Sequence, residues 1–231
     1  MGINVGVDIA GMNNSWVTVL DSNKSLIQPP SLMNLEDILN YCLKNKAVTV
    51  TIDAPLSYAI DEENGMRDCD MRLRQWLKMQ GFPEQYVLSS NSLQAVTSRG
   101  RLLAEELLLS DFKGLILETV PRFCLAQMAV SLNNPNLIQA VQNYKNKDTN
   151  ISANSRRDLW NDWCSNKLMT TSTQVPSFNK EKDDGKVDSM VCATIGYFFS
   201  TSNNLVHLES HNPKKPNTMI RGFVKGIHIL A

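Results

Sequence analysis

The chain has 231 residues, 42% of them hydrophobic, which is enough for a single domain with a sizeable core. Lysine plus arginine and aspartate plus glutamate both number 23, so the formal net charge is zero. A neutral chain is not expected to bind long nucleic acid by overall charge alone, because the affinity of such proteins comes from neutralising phosphates with basic residues. A local basic groove remains compatible with a net charge of zero.

The first predicted element is a buried strand over residues 3–8, and from residue 3 to residue 9 β-favouring apolar side chains occupy every second position. Asp8 stands where this strand gives way to a glycine turn. Ligand sites gather at the carboxyl ends of parallel strands, so a carboxylate there is held rigidly beside such a site. A simpler interpretation of Asp8 alone is an acid that accepts hydrogen bonds from the N–H groups of the turn. Residues 15–21 and 25–28 predict two further strands, which complete an antiparallel meander.

The same arrangement recurs after a helix predicted over residues 35–45, for which Asn34 is the N-cap. The next buried strand covers residues 48–52 and ends in Asp53. Pro55 then stops the hydrogen-bond ladder and fixes the exit path of the chain. A second carboxylate is therefore expected at the carboxyl end of a strand.

Residues 58–110 form a long excursion, a segment between two predicted strands, which we expect to make a helical cap. The whole chain, residues 1–231, is expected to form one domain that includes this cap. Glu118 follows the next short strand, predicted over residues 114–117, and could instead pair with Arg122 in a structural salt bridge. The remaining predicted helices cover residues 65–80, 94–109, 122–131, 155–168 and 189–201.

A fourth acid, Asp188, lies at the start of the helix predicted over residues 189–201, where the helix dipole favours an anion. An acid in this position is also a common helix cap, so Asp188 alone does not indicate a site. Asp183 and Asp184 are predicted to lie in a solvated loop, and residues 133–154 to be irregular or partly helical.

These four acids are far apart in the sequence, and only a fold that brings strand ends together makes them neighbours. If the strands that end in Asp8, Asp53 and Glu118 are adjacent and parallel, their charges converge and cannot all stay ionised unless a cation neutralises them. Oxygen ligands without nearby histidine or cysteine suit Mg²⁺ or Mn²⁺ rather than zinc. Two such ions about 3.5–4 Å apart can activate a water and stabilise the leaving oxygen of a phosphodiester.

Five short motifs follow one another along the chain: VDIAG, IDAPLS, RDCD, ETVP and VDSMVCA. With the order of the predicted elements, they resemble a bacterial and archaeal family of predicted RNase H-like nucleases, domain of unknown function 429, over nearly the whole chain. The resemblance implies an α/β fold with an RNase H-like mixed sheet, in which a three-strand antiparallel meander joins parallel strands and helices flank the sheet. One departure is that Ser189 and Met190 follow Asp188, where the family more often reads DALDA.

The resemblance also implies functions for particular residues. Metal binding and catalysis are implied for Asp8, Asp53, Glu118 and Asp188. Arg67 and Asp70 belong to a motif that orders the cap or meets a phosphate, and with Lys186 they are candidate substrate-binding residues. The implied activity is that of a nuclease that uses Mg²⁺ or Mn²⁺, and the implied partner is RNA or DNA.

Two other functions are weighed against the nuclease. A catalytically silent nucleic-acid- or protein-binding module of the same fold agrees with the neutral charge. An actin/sugar-kinase-like ATP-binding protein needs a glycine-rich second phosphate loop, and residues 52–57 (IDAPLS) contain no glycine. His207 and His211 have the i, i+4 spacing of a zinc site on a helix, but no further ligand is near them.

The five cysteines are odd in number and lack CxxC spacing, which predicts reduced thiols in a cytoplasmic protein. No apolar run reaches membrane-spanning length, so no membrane partner is expected. The sequence carries no signal for the oligomeric state.

Overall fold

A computed structural model describes residues 2–11, 15–57, 66–89, 94–171, 175–201, 205–208 and 227–230 of the chain. The strands in this part are β1 (Ile3–Asp8), β2 (Ser15–Asp21), β3 (Leu26–Met33), β4 (Thr49–Ile52), β5 (Leu115–Glu118), β6 (Leu205–Leu208) and β7 (Ile227–Leu230). The helices are α1 (Leu35–Lys44), α2 (Asp68–Met79), α3 (Gln94–Leu109), α4 (Pro121–Ser131), α5 (Pro135–Asn143), α6 (Thr149–Ser165) and α7 (Asp184–Thr201). None of these helices combines the length and the apolar character needed to cross a bilayer.

The strands form one mixed sheet in the order β3-β2-β1-β4-β5-β7-β6. β1 pairs antiparallel with β2, and β2 pairs antiparallel with β3, so the predicted meander is confirmed. β4 lies parallel to β1 on one side and to β5 on the other. The predicted α/β fold with a mixed sheet is therefore confirmed, and β1, β4 and β5 end on the same edge of the sheet.

The sheet separates two buried apolar clusters, because β1 alternates its side chains between the two faces. Val5 and Val7 belong to the cluster that includes α1 and α3, whereas Gly6 contacts α7. The other cluster holds side chains of α2, α4, α5, α6 and α7. The two helices of the excursion, α2 and α3, thus pack on opposite faces of the sheet, and the described part of the excursion contributes side chains to both cores.

α7 packs directly against the backbone of β1. Gly6 makes this possible, because a Cβ at that position would overlap Ser189 O and Ala193 N of the helix. The neighbouring contact is made by two hydroxyl groups, since Thr18 Oγ1 lies 2.8 Å from Ser189 Oγ. The side chains of the sheet under α7 are therefore small and partly polar. They set the distance at which the helix packs on the sheet.

α7 begins at Asp184, earlier than the sequence predicts, so Asp183 and Asp184 do not form a solvated loop. Asp183 is buried, accepts a hydrogen bond from Lys180 N at 2.9 Å and pairs with Lys186 Nζ at 2.9 Å. Asp188 consequently lies one turn inside the helix. The helix dipole acts mainly on the first turn, so it is not the main interaction that holds this acid.

The stretch 133–154, expected to be irregular or partly helical, contains α5 and the start of α6. Asn134 caps α5 and precedes Pro135, which occupies the first turn. Asp148 caps α6, which therefore begins well before its predicted start. Both helices start at residue types that commonly begin helices, so their caps are local signals of the two helix starts.

His207 lies on a strand, β6, and not on a helix, so the i, i+4 spacing with His211 does not form a zinc site of the expected kind. His211 itself lies outside the described residues, as do residues 58–65 and 90–93 of the excursion.

Gly6→Ala is expected to destabilise the protein, because the new methyl group overlaps backbone atoms of α7. Overpacking costs about 1–3 kcal/mol of unfolding free energy, and rigid backbone neighbours place this variant at the upper end. Urea denaturation followed by circular dichroism measures the loss. Gly2→Ala is the matched control, since its Cβ meets only the side chain of Val48, which is 38% exposed. Equal urea midpoints for the two variants would contradict the close packing of α7 on β1.

Candidate metal centre

Three carboxylates meet at the edge of the sheet where the parallel strands end. Asp8 is the last residue of β1, Asp53 directly follows β4, and Asp188 comes from α7. One oxygen of each lies within 4.8 Å of an oxygen of the other two. The first two acids are neighbours because β1 and β4 are paired in parallel, with Val7 opposite Ile52. The structure thus brings together three of the four acids that the sequence singles out.

Gly185, in the first turn of α7, leaves the space that the Asp8 carboxylate occupies. A Cβ at this position would overlap Asp8 Oδ2 and Trp16 Cδ1. The carboxylate can therefore lie against the backbone of the helix, within reach of the acid that α7 carries. Any larger residue than glycine would displace either the carboxylate or the indole ring.

Asp188 is buried, and both of its oxygens have partners. Tyr144 OH donates a 2.9 Å hydrogen bond to Oδ1. Lys145 Nζ lies 2.7 Å from Oδ2 and 3.4 Å from Asp184 Oδ2. The Lys145 side chain is 33% exposed, so it lies between the acid cluster and the solvent. Its two partners fix the orientation of the Asp188 carboxylate.

Burial and mutual repulsion raise the pKa values of the three acids. Burial, followed by the charge of Asp188, raises the pKa of Asp8 from 3.8 to about 7. Burial, followed by the charges of Asp188 and Asp8, raises the pKa of Asp53 well above its ordinary value. Burial also raises the pKa of Asp188, and Lys145 opposes that rise. The three acids therefore do not all stay ionised at neutral pH unless further positive charge enters the cluster.

Two other ionisable groups respond to this cluster. Burial, reinforced by Asp53 and Asp8, raises the pKa of the Cys192 thiol well above its ordinary value. Burial by itself would lower the pKa of Lys145, but Asp188 and other nearby groups outweigh it, so the pKa is raised. At neutral pH the lysine is therefore a permanent cation beside the acids, and the thiol stays protonated and does not compete as a metal ligand.

The donor set of the cluster fits a hard divalent cation. It consists of carboxylate oxygens alone, which Mg²⁺ and Mn²⁺ accept readily, whereas zinc favours histidine and cysteine. The crowded negative charge provides the electrostatic attraction for such an ion. The residues that would hold it are Asp8, Asp53 and Asp188.

Glu118, the fourth predicted ligand, lies outside this cluster and is bound by Arg67. Arg67 Nη2 lies 2.6 Å from Oε1 and Nη1 lies 2.9 Å from Oε2, which makes a bidentate pair. Leu56 N donates a further hydrogen bond to Oε2 at 2.8 Å. The expectation that Glu118 belongs to the metal site is therefore corrected, because its charge is already neutralised by a guanidinium group.

Arg67 also donates to both carboxylate oxygens of Asp70, at 2.7 and 2.8 Å, and to Ser57 Oγ at 2.9 Å. The side chains of Arg67, Asp70 and Glu118 are at most 1% exposed. A guanidinium group enclosed in this way is not accessible to a phosphate. The structure therefore assigns Arg67 and Asp70 a structural role in place of the expected substrate contact: they tie the start of α2 to the end of β5.

Lys186, the remaining predicted substrate contact, is held at the start of α7. Its Nζ lies 2.6 Å from Ser177 O and 2.9 Å from Asp183 Oδ1. The same atom lies 5.0 Å from the centre of the Trp16 ring. These contacts give Lys186 a structural role, and substrate binding by this residue stays a prediction.

Sequence reasoning missed Tyr144 and Lys145, the partners of Asp188. Both follow α5, in the stretch that was expected to be irregular. The pair Asn134–Pro135 is a common helix start and could have indicated α5, and with it the place where these residues leave the helix. No pattern in the sequence, however, links that place to the end of β1.

Comparison with known proteins gives a family but no activity. The family model described as a protein of unknown function (DUF429) matches residues 6–211, which is most of the chain. No curated protein and no solved structure matches the chain significantly. The activity therefore has to be argued from the chemistry of the site.

Asp8→Asn is expected to stabilise the metal-free protein at high pH. The pKa of Asp8 is about 7 in the folded protein against 3.8 for an ordinary aspartate, so the folded state binds more protons between these values. Stability is therefore lost as the pH rises through this window. Asparagine removes that loss, and we expect the Tm to rise by about 2–6 °C at pH 8 and hardly at all at pH 4.

The same variant should lose stabilisation by Mn²⁺, because a cation that binds only the folded state raises its Tm. Differential scanning fluorimetry at several Mn²⁺ concentrations measures both effects. Asp158→Asn removes an exposed carboxylate on α6 and should respond to pH and Mn²⁺ as the wild type does. A wild-type Tm that does not change with Mn²⁺ would contradict the metal centre.

Arg67→Met is expected to lower the free energy of unfolding by about 3–5 kcal/mol, because it leaves Asp70 and Glu118 buried without a counter-charge. Arg157→Met is the control, since Arg157 is exposed, and should change stability by less than about 0.5 kcal/mol. Guanidinium denaturation at constant ionic strength compares them. Adding Glu118→Gln to Arg67→Met should restore part of the loss, and similar unfolding of the two single variants would disprove the argument.

Proposed function

We propose that this chain, which belongs to the DUF429 family, is a nuclease that hydrolyses phosphodiester bonds with a divalent cation. The observation that carries the proposal is the cluster of Asp8, Asp53 and Asp188, whose oxygens lie within 4.8 Å of one another. Carboxylates grouped in this way hold the hard cations that act on phosphates. The preferred cation is Mg²⁺ or Mn²⁺, and the substrate is RNA or DNA.

The order of the elements supports the same activity. RNase H-like folds open with a three-strand meander and continue with helix, strand, helices, strand and a late helix, and the described elements follow this order. The acids stand on the first strand, after the parallel strand beside it, and on the late helix. A fold alone does not decide a function, so the proposal depends on the chemistry of the site.

Each side chain of the centre has a defined task in this proposal. Asp8 and Asp53 hold the cation from the two strand ends, and Asp188 holds it from α7. Tyr144 and Lys145 keep Asp188 in place. The cation, when bound, lowers the pKa of a coordinated water and stabilises charge on the leaving oxygen. Because the pKa of Asp8 is about 7, this carboxyl group gives up its proton on binding, and affinity for the cation rises with pH.

The correction at Glu118 changes the expected number of tightly held cations. Since this carboxylate is bound by Arg67, three carboxylates are left for the centre. Three carboxylates are enough protein ligands for one ion. In a two-ion mechanism, the second ion would take its ligands from water and from the substrate phosphate. In the absence of substrate, we therefore expect one Mn²⁺ per chain.

A catalytically silent binding module is the second candidate, and one observation favours it. Lys145 Nζ lies 2.7 Å from Asp188 Oδ2, so the chain supplies part of the positive charge that a cation would otherwise bring. In a silent module this ammonium group replaces the ion permanently. Such a protein would show no rise in Tm with Mn²⁺ and no hydrolysis.

The test is incubation of the protein with structured RNA, single-stranded DNA and duplex DNA in Mg²⁺, Mn²⁺ or EDTA. We expect the wild type to cleave at least one substrate in the presence of a cation, and Asp8→Asn to lose at least ~100-fold, because a ligand that positions the cation is removed. Gel electrophoresis of end-labelled substrates measures the rate.

Asp158→Asn, purified in the same way, is the control for a contaminating nuclease and should retain the wild-type rate. Cleavage that persists in Asp8→Asn at the wild-type rate would assign the activity to another site or another protein. Complete absence of cleavage, with a normal Mn²⁺ effect on the Tm, would favour a substrate other than nucleic acid, whereas absence of both would favour the silent module.

A further inference from the structure

A cavity of about 210 Å³ lies beside the three acids, at the carboxyl ends of β4 and β5. Its wall includes two acids, three cationic side chains and an aromatic ring: Asp53, Glu118, Arg67, Arg122, Lys145 and Tyr86. Pockets for drug-sized ligands enclose about 300–1,000 Å³, so this space suits a smaller group. A phosphate group is of that size and of the matching charge.

The three cations of the wall differ in how their charges are compensated. Arg67 is enclosed by Glu118 and Asp70, and Lys145 pairs with Asp188. Arg122 forms no ion pair with any carboxylate in the described part of the chain, and the alternative salt bridge with Glu118 is not formed. This guanidinium group is therefore the uncompensated positive charge of the cavity.

The hydrogen bonds of Arg122 are also incomplete. Its Nη2 donates to Gln142 O at 3.3 Å, which is a long hydrogen bond. Its Nε is buried and has no acceptor among the described residues. A buried donor without an acceptor costs free energy, so an anion that accepts from this group would be favoured.

Aromatic rings hold the Arg122 guanidinium in a fixed place. Its central carbon lies 3.4 Å from the centre of the Tyr86 ring and 5.3 Å from the centre of the Tyr144 ring. A planar guanidinium group held in this way keeps its fork of donors ready for two oxygens of one phosphate. Arg122 also lies in the first turn of α4, whose N-cap residue Val120 offers no side-chain hydrogen bond, so the positive end of the helix adds to the attraction.

From these contacts we propose that the cavity is an anion subsite, in which Arg122 and Lys145 bind a backbone phosphate of the substrate. The identity of that phosphate, as a neighbour of the bond that is cleaved, rests on the proposed nuclease function. Tyr144 connects the two sites, because its ring contacts Arg122 and its hydroxyl group donates to Asp188 at 2.9 Å. The subsite therefore positions one phosphate while the acids act on the next.

Equilibrium binding of small probes tests the subsite without any cleavage. Isothermal titration calorimetry in EDTA compares inorganic phosphate, thymidine 5′-monophosphate and thymidine, which lacks the phosphate. We expect the two phosphate compounds to bind the wild type and thymidine not to bind. Arg122→Gln should weaken phosphate binding at least ~10-fold, because a charge-assisted hydrogen bond is lost.

Two further variants separate loss of the contact from loss of the fold. Arg122→Lys keeps the positive charge and should bind phosphate more tightly than Arg122→Gln but more weakly than the wild type, since the bidentate fork is gone. Arg157→Gln removes an exposed arginine and should bind as the wild type does. The Tm of each variant shows whether it is folded, and the comparison between glutamine and lysine is made on folded protein alone.

The nuclease and the subsite can fail independently of each other. Asp8→Asn should lose cleavage and retain phosphate binding, whereas Arg122→Gln should raise the KM for cleavage ~10-fold with little change in kcat. If the wild type binds phosphate through Arg122 but cleaves nothing, the nuclease proposal fails and the anion site stands. If Arg122→Gln binds phosphate as tightly as the wild type, or if thymidine binds as well as its monophosphate, the subsite is disproved.

Discussion

The constraint on which the rest of the structure depends is the repulsion among three carboxylates whose oxygens lie within 4.8 Å of one another. Bringing them together requires close packing of α7 on β1 at Gly6 and space for Asp8 at Gly185. Keeping them together requires positive charge, part of which Lys145 supplies. The fold therefore stores an electrostatic cost at one edge of the sheet, which the cation of the proposed function would offset.

Two groups of acids lie side by side, and the protein neutralises them to different extents. Glu118 and Asp70 have a guanidinium group between them and are satisfied within the protein. Asp8 and Asp53 have raised pKa values and no arginine between them. Glu118 is the last residue of β5 and Asp53 directly follows β4, and the two strands are parallel neighbours. The contrast separates the acids whose charge is neutralised within the protein from those whose mutual repulsion persists.

The sequence predicts the strand-end acids well, because periodic apolar strands and the proline after Asp53 are local signals. It does not distinguish Glu118 from the other acids, since the arginine that binds it stands 51 positions away in a separate motif. Asp188 does lie beside Asp8 and Asp53, as expected, but α7 begins earlier than predicted, so this acid lies one turn inside the helix and not at its start. Tyr144 and Lys145 cannot be predicted from spacing, because only the packing of α5 on α4 and α6, which both contact α7, brings them to the acids.

The pair formed by Thr18 and Ser189 has a consequence for the evolution of this fold. Both hydroxyl groups are buried, and each is the other's partner across the narrow gap between β2 and α7. The family resemblance gives alanine rather than serine after the helix acid, and an alanine there would leave the threonine hydroxyl without this partner. Chains with alanine at that helix position should therefore carry an aliphatic side chain opposite it, so that the two sites change as a pair.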